Sequence, residues 1–180
     1  MTIGSAVRVQ GSQWLRPVAM VLAGSAALAV SAKVEVPFWP VPMTMQSLAV
    51  LLIGLGYGWR LGIATVLAYL AEGAAGLPVF AGPAAGLGYL AGPTGGYLAG
   101  FVLAAGLAGW LGARGIGRVS LAMVLGHAVI FALGVAWLAG LLGWPRAVAL
   151  GFMPFLAGTV VKCALGVALV LAARRSRGTA

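Results

Sequence analysis

The chain of 180 residues contains no aspartate and no asparagine, and its acidic side chains number two, Glu35 and Glu72. It has one cysteine, Cys163, and one histidine, His127. Paired-carboxylate catalysis, calcium loops and metal clusters all need acidic, cysteine or histidine residues in groups. These absences exclude most enzyme chemistry, and we expect no catalytic residue, no metal and no cofactor.

Apolar residues, in contrast, make up 62% of the chain, and glycine contributes 29 more residues. A water-facing surface cannot be assembled from this composition, so the sequence predicts an integral membrane protein. The net charge of +9 does not indicate a nucleic-acid partner, because the basic residues are scattered between apolar segments instead of lining one face. The lipid bilayer is therefore the expected surrounding.

Apolar runs of about 20 residues mark candidate transmembrane helices. The sequence predicts an all-α, six-helix transmembrane bundle with spans at residues 14–31, 43–58, 61–76, 93–113, 119–142 and 146–173. If both termini are cytosolic, only Lys33 and Arg146 fall in outer connections, and eight arginines lie inside: Arg8, Arg16, Arg60, Arg114, Arg118, Arg174, Arg175 and Arg177. This distribution follows the positive-inside rule.

The same reading gives one domain, residues 14–173, between a cytosolic N-terminal tail, residues 1–13, and a basic cytosolic C-terminal tail, residues 174–180. No small-residue cleavage site follows the short segment before Trp14, so the first span is expected to be retained and not removed as a signal.

Lys162 lies inside a stretch, residues 147–173, that has no other charged residue. Arg174 is about 18 Å further along a helix, beyond the reach of the lysine side chain, and the outer end of the predicted span is no closer. An ionisable group at this depth usually faces a cavity, a partner or an anionic ligand, so a functional role is favoured over a structural pairing. For His127 a packed, hydrogen-bonded ring is favoured over a proton relay, and Cys163 is read as a small packing residue.

The segment 76–96 contains three prolines and seven glycines, which cannot sustain an uninterrupted helix. Its apolar residues, among them Phe80, Leu87, Tyr89 and Leu90, do not suit an ordinary exposed loop. Irregular backbone at membrane depth is tolerated where it lines a cavity, so the segment is a candidate ligand wall. A long external connection is the alternative.

A second irregular segment, residues 36–46, joins the first two predicted spans. Three prolines within six residues give it a rigid, extended backbone, and Phe38 with Trp39 makes it aromatic. It suits a lid over a binding site, although tryptophan also anchors proteins at the headgroup level. Thr44 and Gln46 then place hydrogen-bonding groups where the second helix begins, within reach of a polar ligand.

Four motifs in this order resemble the BioY family, the biotin-specific substrate-binding subunits of energy-coupling-factor (ECF) transporters. They are the 36–46 segment, the Gly-Leu-Pro-Val-Phe run at 76–80, the Gly-Pro-Thr-Gly-Gly run at 92–96, and the final helix with Pro154, Phe155 and Lys162. The resemblance covers nearly the whole chain, from about Pro17 onward. It implies a six-helix membrane bundle that binds biotin near its outer face in a bacterial plasma membrane.

The resemblance also implies roles for single residues. Lys162 matches the family's final-helix lysine and would pair with the biotin carboxylate, which resolves the cost of burying either charge alone. The family usually has an acidic residue three positions earlier, where this chain has Thr159. Recognition of the ureido ring would then fall to Gln46, Thr94, Tyr89 and Glu72, and the apolar walls or lid to Phe38, Trp39 and Phe80.

Transport needs energy, yet neither Lys33 nor Lys162 ends a phosphate-binding Gly-x-x-x-x-Gly-Lys-Ser/Thr loop. In the family the motor is a membrane coupling protein carrying two ATPase subunits, contacted through small residues on the first helix. The candidates here recur every four residues on one helix face: Ala19, Ala23 and Ala27. The alternative is that this face packs inside the bundle.

Other functions stay open on the sequence alone. A self-sufficient secondary transporter could use Glu72, His127 or Lys162 as its proton carrier. The exchange of an acidic residue for Thr159 also permits a different small carboxylate-bearing vitamin. A membrane enzyme or assembly factor ranks last, because the sequence offers no nucleophile paired with a base.

Overall fold

The computed structural model describes the backbone of residues 6–178 and the side chains of residues 14–176. Within that part the chain forms eight α-helices, one 3-10 turn and a two-stranded hairpin. In chain order these are α1 Ala6–Lys33, β1 Glu35–Val36, β2 Met43–Thr44, α2 Gln46–Tyr57, α3 Trp59–Ala74, α4 Leu87–Ala91, α5 Gly95–Leu111, α6 Ile116–Leu142, α7 Trp144–Gly151, the 3-10 turn Met153–Phe155 and α8 Leu156–Gly178.

A mostly helical membrane fold is therefore confirmed. Three stretches are long and apolar enough to cross a bilayer: Trp14–Lys33, Ile116–Leu142 and Trp144–Ser176. Two shorter apolar helices, Gln46–Tyr57 and Gly95–Leu111, accompany them. A helix occupies each of the first five predicted positions, although α1 begins earlier than the predicted span, at Ala6.

The prediction of one continuous helix over residues 146–173 is wrong. The chain leaves the α-helical conformation at Phe152, where φ is −125° and ψ is −56°, and Pro154 follows in the 3-10 turn. Proline has no amide hydrogen and clashes with the preceding helical turn, so the helix ends there and a new one begins at Leu156. The carbonyl of Gly151 is left available and accepts a hydrogen bond from the Tyr97 hydroxyl at 2.8 Å.

The irregular connections also contain short regular elements that the sequence did not predict. In the first connection, which joins α1 to α2, Glu35 pairs with Thr44 and Val36 with Met43 in an antiparallel hairpin, whose loop holds the cis peptide bond Trp39–Pro40. In the second connection, which joins α3 to α5, the helix α4 occupies part of a segment that was expected to be irregular throughout.

Close backbone approach in the bundle depends on glycine. A β-carbon at Gly54 of α2 would lie 2.5 Å from the carbonyl oxygen of Ala105 in α5, and one at Gly100 of α5 would lie 2.9 Å from the α-carbon of Ile130 in α6. Both distances are too short for real atoms, so α5 packs against α2 and α6 only because these positions lack side chains.

Contacts between distant residues bring the two irregular connections to the same end of the bundle. Lys33 at the end of α1 bonds to the chain after α3, and Gln46 at the start of α2 bonds to Tyr69 near the end of α3. Trp137 near the end of α6 donates to the carbonyl of Gly92, just before α5, at 2.9 Å. This end of the bundle holds the candidate site.

Candidate functional site

A cavity lies where α2, α5, α6 and α8 meet the two irregular connections. Its lining combines several aromatic side chains with a few polar groups, which is the composition typical of small-molecule sites. Aromatic side chains on the walls are Tyr89, Tyr97, Phe101, Phe131 and Phe155, and the other polar groups are Thr44, Gln46, Ser47, Thr94, His127, Thr159 and Lys162.

Lys162 is 8% exposed and reaches this cavity from α8. Its Nζ donates to the carbonyl oxygen of Thr44 at 2.7 Å and to Ser47 Oγ at 3.2 Å. An ammonium group has three N–H donors, and within the described part of the chain these two acceptors take two of them. Both acceptors are neutral, so neither offsets the charge of the ammonium, and one donor remains for a ligand.

Lys162 lies near the beginning of α8, the end of this helix that adjoins the cavity. Because the last predicted helix is broken, Lys162 is six positions into α8, which begins at Leu156. At about 1.5 Å per residue this is roughly 9 Å along the helix axis, which places the ammonium on the floor of a cavity at that end.

His127 and Ser47 extend the polar contacts of the lysine. His127 is buried on α6, with Nδ1 2.8 Å from the carbonyl oxygen of Met123 and Nε2 3.3 Å from Ser47 Oγ. The packed, hydrogen-bonded histidine expected from the sequence is present, and it also lines the cavity. Cys163 Sγ lies 3.6 Å from His127 Nδ1 and is half-buried.

Gln46 and Thr44 line the cavity, but the Gln46 side chain is engaged within the protein. Its Nε2 donates to the Tyr69 hydroxyl at 2.6 Å, and its Oε1 accepts from Thr44 Oγ1 at 3.2 Å. Tyr69 in turn donates to the carbonyl oxygen of Val79 at 3.0 Å. Gln46 therefore joins α2 to α3 and to the second connection, in addition to forming part of the wall.

Tyr89, Thr94 and Thr159 line the cavity as well. Tyr89 stacks on Phe80 with 5.0 Å between the ring centroids and an interplanar angle of 16°. Burial raises the pKa of the Tyr89 phenol above its ordinary value, so its hydroxyl remains a neutral hydrogen-bonding group.

Phe80 does not line this cavity, in contrast to the prediction that it forms a wall. It is fully buried behind Tyr89, with its ring packed edge-on against Tyr69 at 5.5 Å. A β-carbon at Gly73 would lie 2.0 Å from the Phe80 ring, so the ring fills the space that this glycine leaves. Phe80 supports the wall from behind.

The aromatic pair of the first connection also lies outside the main cavity. Phe38 packs edge-on against Phe155 at 6.0 Å between centroids and lines a neighbouring, more open cavity. The two cavities share Pro42, Ala81, Tyr89 and Thr94. Trp39 is 78% exposed and lines a separate cavity beside Pro145 and Arg146.

Glu72 is a predicted site residue that lies outside this arrangement. Its carboxylate accepts a hydrogen bond from Ser25 of α1, and it does not line the cavity. Because α3 packs against α1, a side chain on this face of α3 meets α1 and not the ligand space. Glu72 thus joins two helices.

The sequence predicts Lys33 only as a charge in an outer connection. In the structure its side chain holds the second connection, between α3 and α5, in place. Its Nζ donates to three main-chain carbonyls, those of Pro78 at 2.7 Å, Phe80 at 2.8 Å and Gly82 at 2.5 Å. Irregular backbone leaves such carbonyls without helical partners. The lysine satisfies them and ties this segment to α1.

Sequence reasoning missed Ser47, Tyr97, Phe101, Phe131 and Phe155 as lining residues. Phe131 lies at the centre of an aromatic cluster, 5.1 Å from Phe152, 6.2 Å from Phe155 and 6.5 Å from Tyr97 between centroids. Apolar side chains on membrane helices face lipid, neighbouring helices or a cavity alike, so helical periodicity gave no signal for them. For Ser47, its place one residue after Gln46 was the available signal.

Several known proteins are similar to this chain over most of its length. A chain from Pyrococcus horikoshii described as a probable biotin transporter BioY is 38% identical over 153 residues, covering 84% of this chain and 92% of that one. The biotin transporter BioY2 of Lactococcus lactis is 32% identical over 166 residues, covering 85% and 89%. The biotin transporter BioY of Thermotoga maritima is 35% identical over 153 residues, covering 82% and 89%.

The fold has a match among solved structures. A crystal structure described as the S-component for biotin from an ECF-type ABC transporter superposes with a TM-score of 0.80 and 23% identity, covering 91% of this chain and 93% of that one. The family model of the BioY family matches residues 5–179. The resemblance found in the sequence motifs is thereby confirmed, and this multi-pass membrane protein belongs to the BioY family.

Proposed function

We propose that this protein is the biotin-binding membrane subunit of a biotin uptake transporter. The observation that carries the proposal is the Lys162 ammonium, which faces an apolar cavity with a free donor and neutral partners. Three relatives that cover most of this chain are described as biotin transporters, one of them as probable. The subunit binds its ligand without changing it chemically.

The cavity suits the two ends of biotin. The valerate carboxylate meets Lys162, and this pairing offsets the cost of the buried charge. The flat bicycle packs between aromatic walls such as Phe131 and Phe155, while Tyr89, Thr94 and Thr159 supply hydroxyl groups for polar recognition. Gln46 contributes chiefly by holding the wall in place, since its amide is already bonded.

We further propose six membrane crossings, made by α1, α2, α3, α5, α6 and the α7–α8 segment, in the bacterial plasma membrane. Both termini are cytosolic. Arg60, Arg114 and Arg118 then lie in cytosolic connections between helices, while the hairpin and α4 face outward. Biotin enters from the outer side.

A partner supplies the energy in this proposal: an ECF coupling protein that carries two ATPase subunits. The docking face is the one bearing Ala19, Ala23 and Ala27, which are all exposed on α1, whereas Gly24, Ser25 and Leu28 on the opposite side are buried. A small-residue stripe on the outside of the bundle allows another helix to approach closely.

The binding proposal is tested by equilibrium binding of biotin and of biotin methyl ester to the purified protein and to Lys162→Ala. Removing one member of a buried charge pair costs about 2 kcal/mol or more, so biotin affinity should fall at least about 30-fold. The ester, which lacks the charge, should bind both proteins with similar, weaker affinity. Absence of biotin binding by the intact protein would indicate a different ligand.

The partner proposal needs a separate test. Ala23→Leu should abolish biotin uptake in cells that express the coupling and ATPase subunits, while leaving biotin binding by the purified protein unchanged. Val124→Leu is the matched control, because Val124 faces outward from α6 with 58% exposure. Uptake that needs no ATPase partner and collapses with the proton gradient would favour the secondary transporter instead.

A further inference from the structure

Lys162, Ser47 and His127 form a continuous hydrogen-bonded chain across three helices. Lys162 Nζ on α8 is 3.2 Å from Ser47 Oγ on α2, and Ser47 Oγ is 3.3 Å from His127 Nε2 on α6. His127 Nδ1 is 2.8 Å from the carbonyl oxygen of Met123. The chain therefore begins at the main chain of α6 and ends at the ammonium that faces the cavity.

The partners at each end determine the direction of the hydrogen bonds. A carbonyl oxygen can only accept, so the proton of the neutral His127 ring lies on Nδ1, facing Met123, and Nε2 is left as an acceptor. Ser47 then donates its hydroxyl hydrogen to Nε2. Its oxygen lone pairs are thereby turned toward the lysine, whose N–H groups can only donate.

We propose that Ser47 and His127 are positioning residues that hold the Lys162 ammonium for the carboxylate of the ligand. This inference rests on the proposed biotin-binding function and adds the means by which the charge is aimed. The effect of His127 is indirect, because it orients the Ser47 hydroxyl, and that hydroxyl holds the lysine.

Two physical features favour this arrangement. The lysine side chain has four rotatable bonds and loses much rotamer freedom when it is held in one place, and the Thr44 carbonyl alone provides one anchor. The second anchor, Ser47, is neutral, as is the Thr44 carbonyl. An acidic anchor would compete with the ligand carboxylate for the ammonium, whereas a hydroxyl and a carbonyl fix its position and leave its charge uncompensated.

The test measures how each substitution changes the ratio of affinities for biotin and biotin methyl ester. Ser47→Ala should lower biotin affinity by roughly tenfold, the usual loss for one hydrogen bond to a charged group, and leave the ester nearly unchanged. His127→Leu should reduce the ratio less, because the Ser47 hydroxyl remains but is no longer oriented. Ser47→Thr, which keeps a hydroxyl, should leave the ratio of biotin to ester affinity as it is in the intact protein.

The double variant Ser47→Ala with Lys162→Ala distinguishes a role of Ser47 in positioning the lysine from a general role in the stability of the fold. In that background Ser47→Ala should cause no further loss of biotin affinity, because the group that it positions is gone. An equal fall for both ligands, or a full additional loss in the double variant, would overturn the inference while leaving biotin binding by the intact protein in place. If the intact protein does not bind biotin, the proposed function fails first, and this inference fails with it.

Discussion

Lys33 and Lys162, the two lysines of this chain, both donate to main-chain carbonyls, but they differ in how much hydrogen-bonding capacity remains. Lys33 is exposed at the end of α1 and uses its three N–H donors on three carbonyls of residues 78–82. Lys162 is nearly buried and has two acceptors among the described residues, Thr44 and Ser47. The first lysine is saturated and structural, and the second retains a donor.

The difference follows from the backbone that surrounds each group. A segment rich in proline and glycine does not pair its carbonyls internally, so it offers several acceptors to one cation. Helices satisfy nearly all of their own carbonyls, so a lysine on a helix facing other helices finds acceptors mainly at helix ends and hydroxyl side chains. Lys33 therefore fixes the backbone around it, whereas Lys162 keeps a donor for a ligand.

The largest effect is expected from Lys162→Met. Without ligand this variant should be more stable than the intact protein by about 1–4 kcal/mol, because an apolar side chain of similar length replaces an uncompensated buried charge. Biotin should raise its thermal unfolding temperature much less than that of the intact protein at the same ligand concentration. Thermal unfolding of the detergent-solubilised protein, with and without biotin, measures both effects. Lower stability without ligand would show that the ammonium is structural, like that of Lys33.

Gly73→Ala should destabilise the protein by about 1–3 kcal/mol, the usual cost of overpacking, because the new methyl group would overlap the Phe80 ring. Displacement of Phe80 moves Tyr89, which it supports, so biotin and its methyl ester should lose affinity to the same extent.

A matched control is Gly56→Ala, since a β-carbon at Gly56 meets nothing within 4 Å. That substitution within α2 should be neutral or slightly stabilising in the same unfolding assay. Equal destabilisation by both substitutions would remove the argument that Phe80 fills the space at Gly73.

Lys33→Met should loosen residues 78–82 without altering the preference for a carboxylate. We expect faster amide hydrogen exchange in this segment and a loss of roughly three- to tenfold in affinity for both ligands, about the contribution of one ordinary hydrogen bond. Hydrogen exchange followed by mass spectrometry, with paired binding measurements, gives the result. A selective loss of biotin over its ester would mean that Lys33 also contacts the carboxylate.

The smallest effect is expected from Thr159→Val, which removes a hydroxyl from the cavity wall and preserves side-chain shape. Affinity for biotin should fall roughly two- to fivefold, and that for the ester equally, because a neutral hydrogen bond contributes little net free energy. Isothermal titration of both ligands measures this change. A larger loss for biotin alone would place Thr159 at the carboxylate beside Lys162.

Helix positions were predictable because several apolar runs end at glycine, as at Gly58 between α2 and α3, where φ is +81°. The break between α7 and α8 was not predicted, since Pro154 lies within an apolar stretch whose composition does not change across it. The hairpin and α4 were also missed. Elements this short depend on tertiary contacts more than on propensity.

Six predicted site residues line the cavity: Thr44, Gln46, Tyr89, Thr94, Thr159 and Lys162. They were accessible to sequence reasoning because polar residues in an apolar chain are few, and those near the ends of neighbouring helices come together. Phe80 and Glu72 also lie near helix ends, but they face away from the cavity. Phe80 packs against Gly73, and Glu72 accepts a hydrogen bond from Ser25. Which side of α3 or of the second connection they face is decided by packing, which the sequence pattern does not encode.

The sequence by itself determined that the protein lies in a membrane, that it carries almost no acid, and that one lysine lies within a long apolar stretch, because apolar length and charge are additive properties of the chain. The tertiary structure decided what each lysine does. A hydrogen bond depends on atoms brought within about 3 Å of each other, and residues as far apart in the chain as Thr44 and Lys162 meet only when the helices pack.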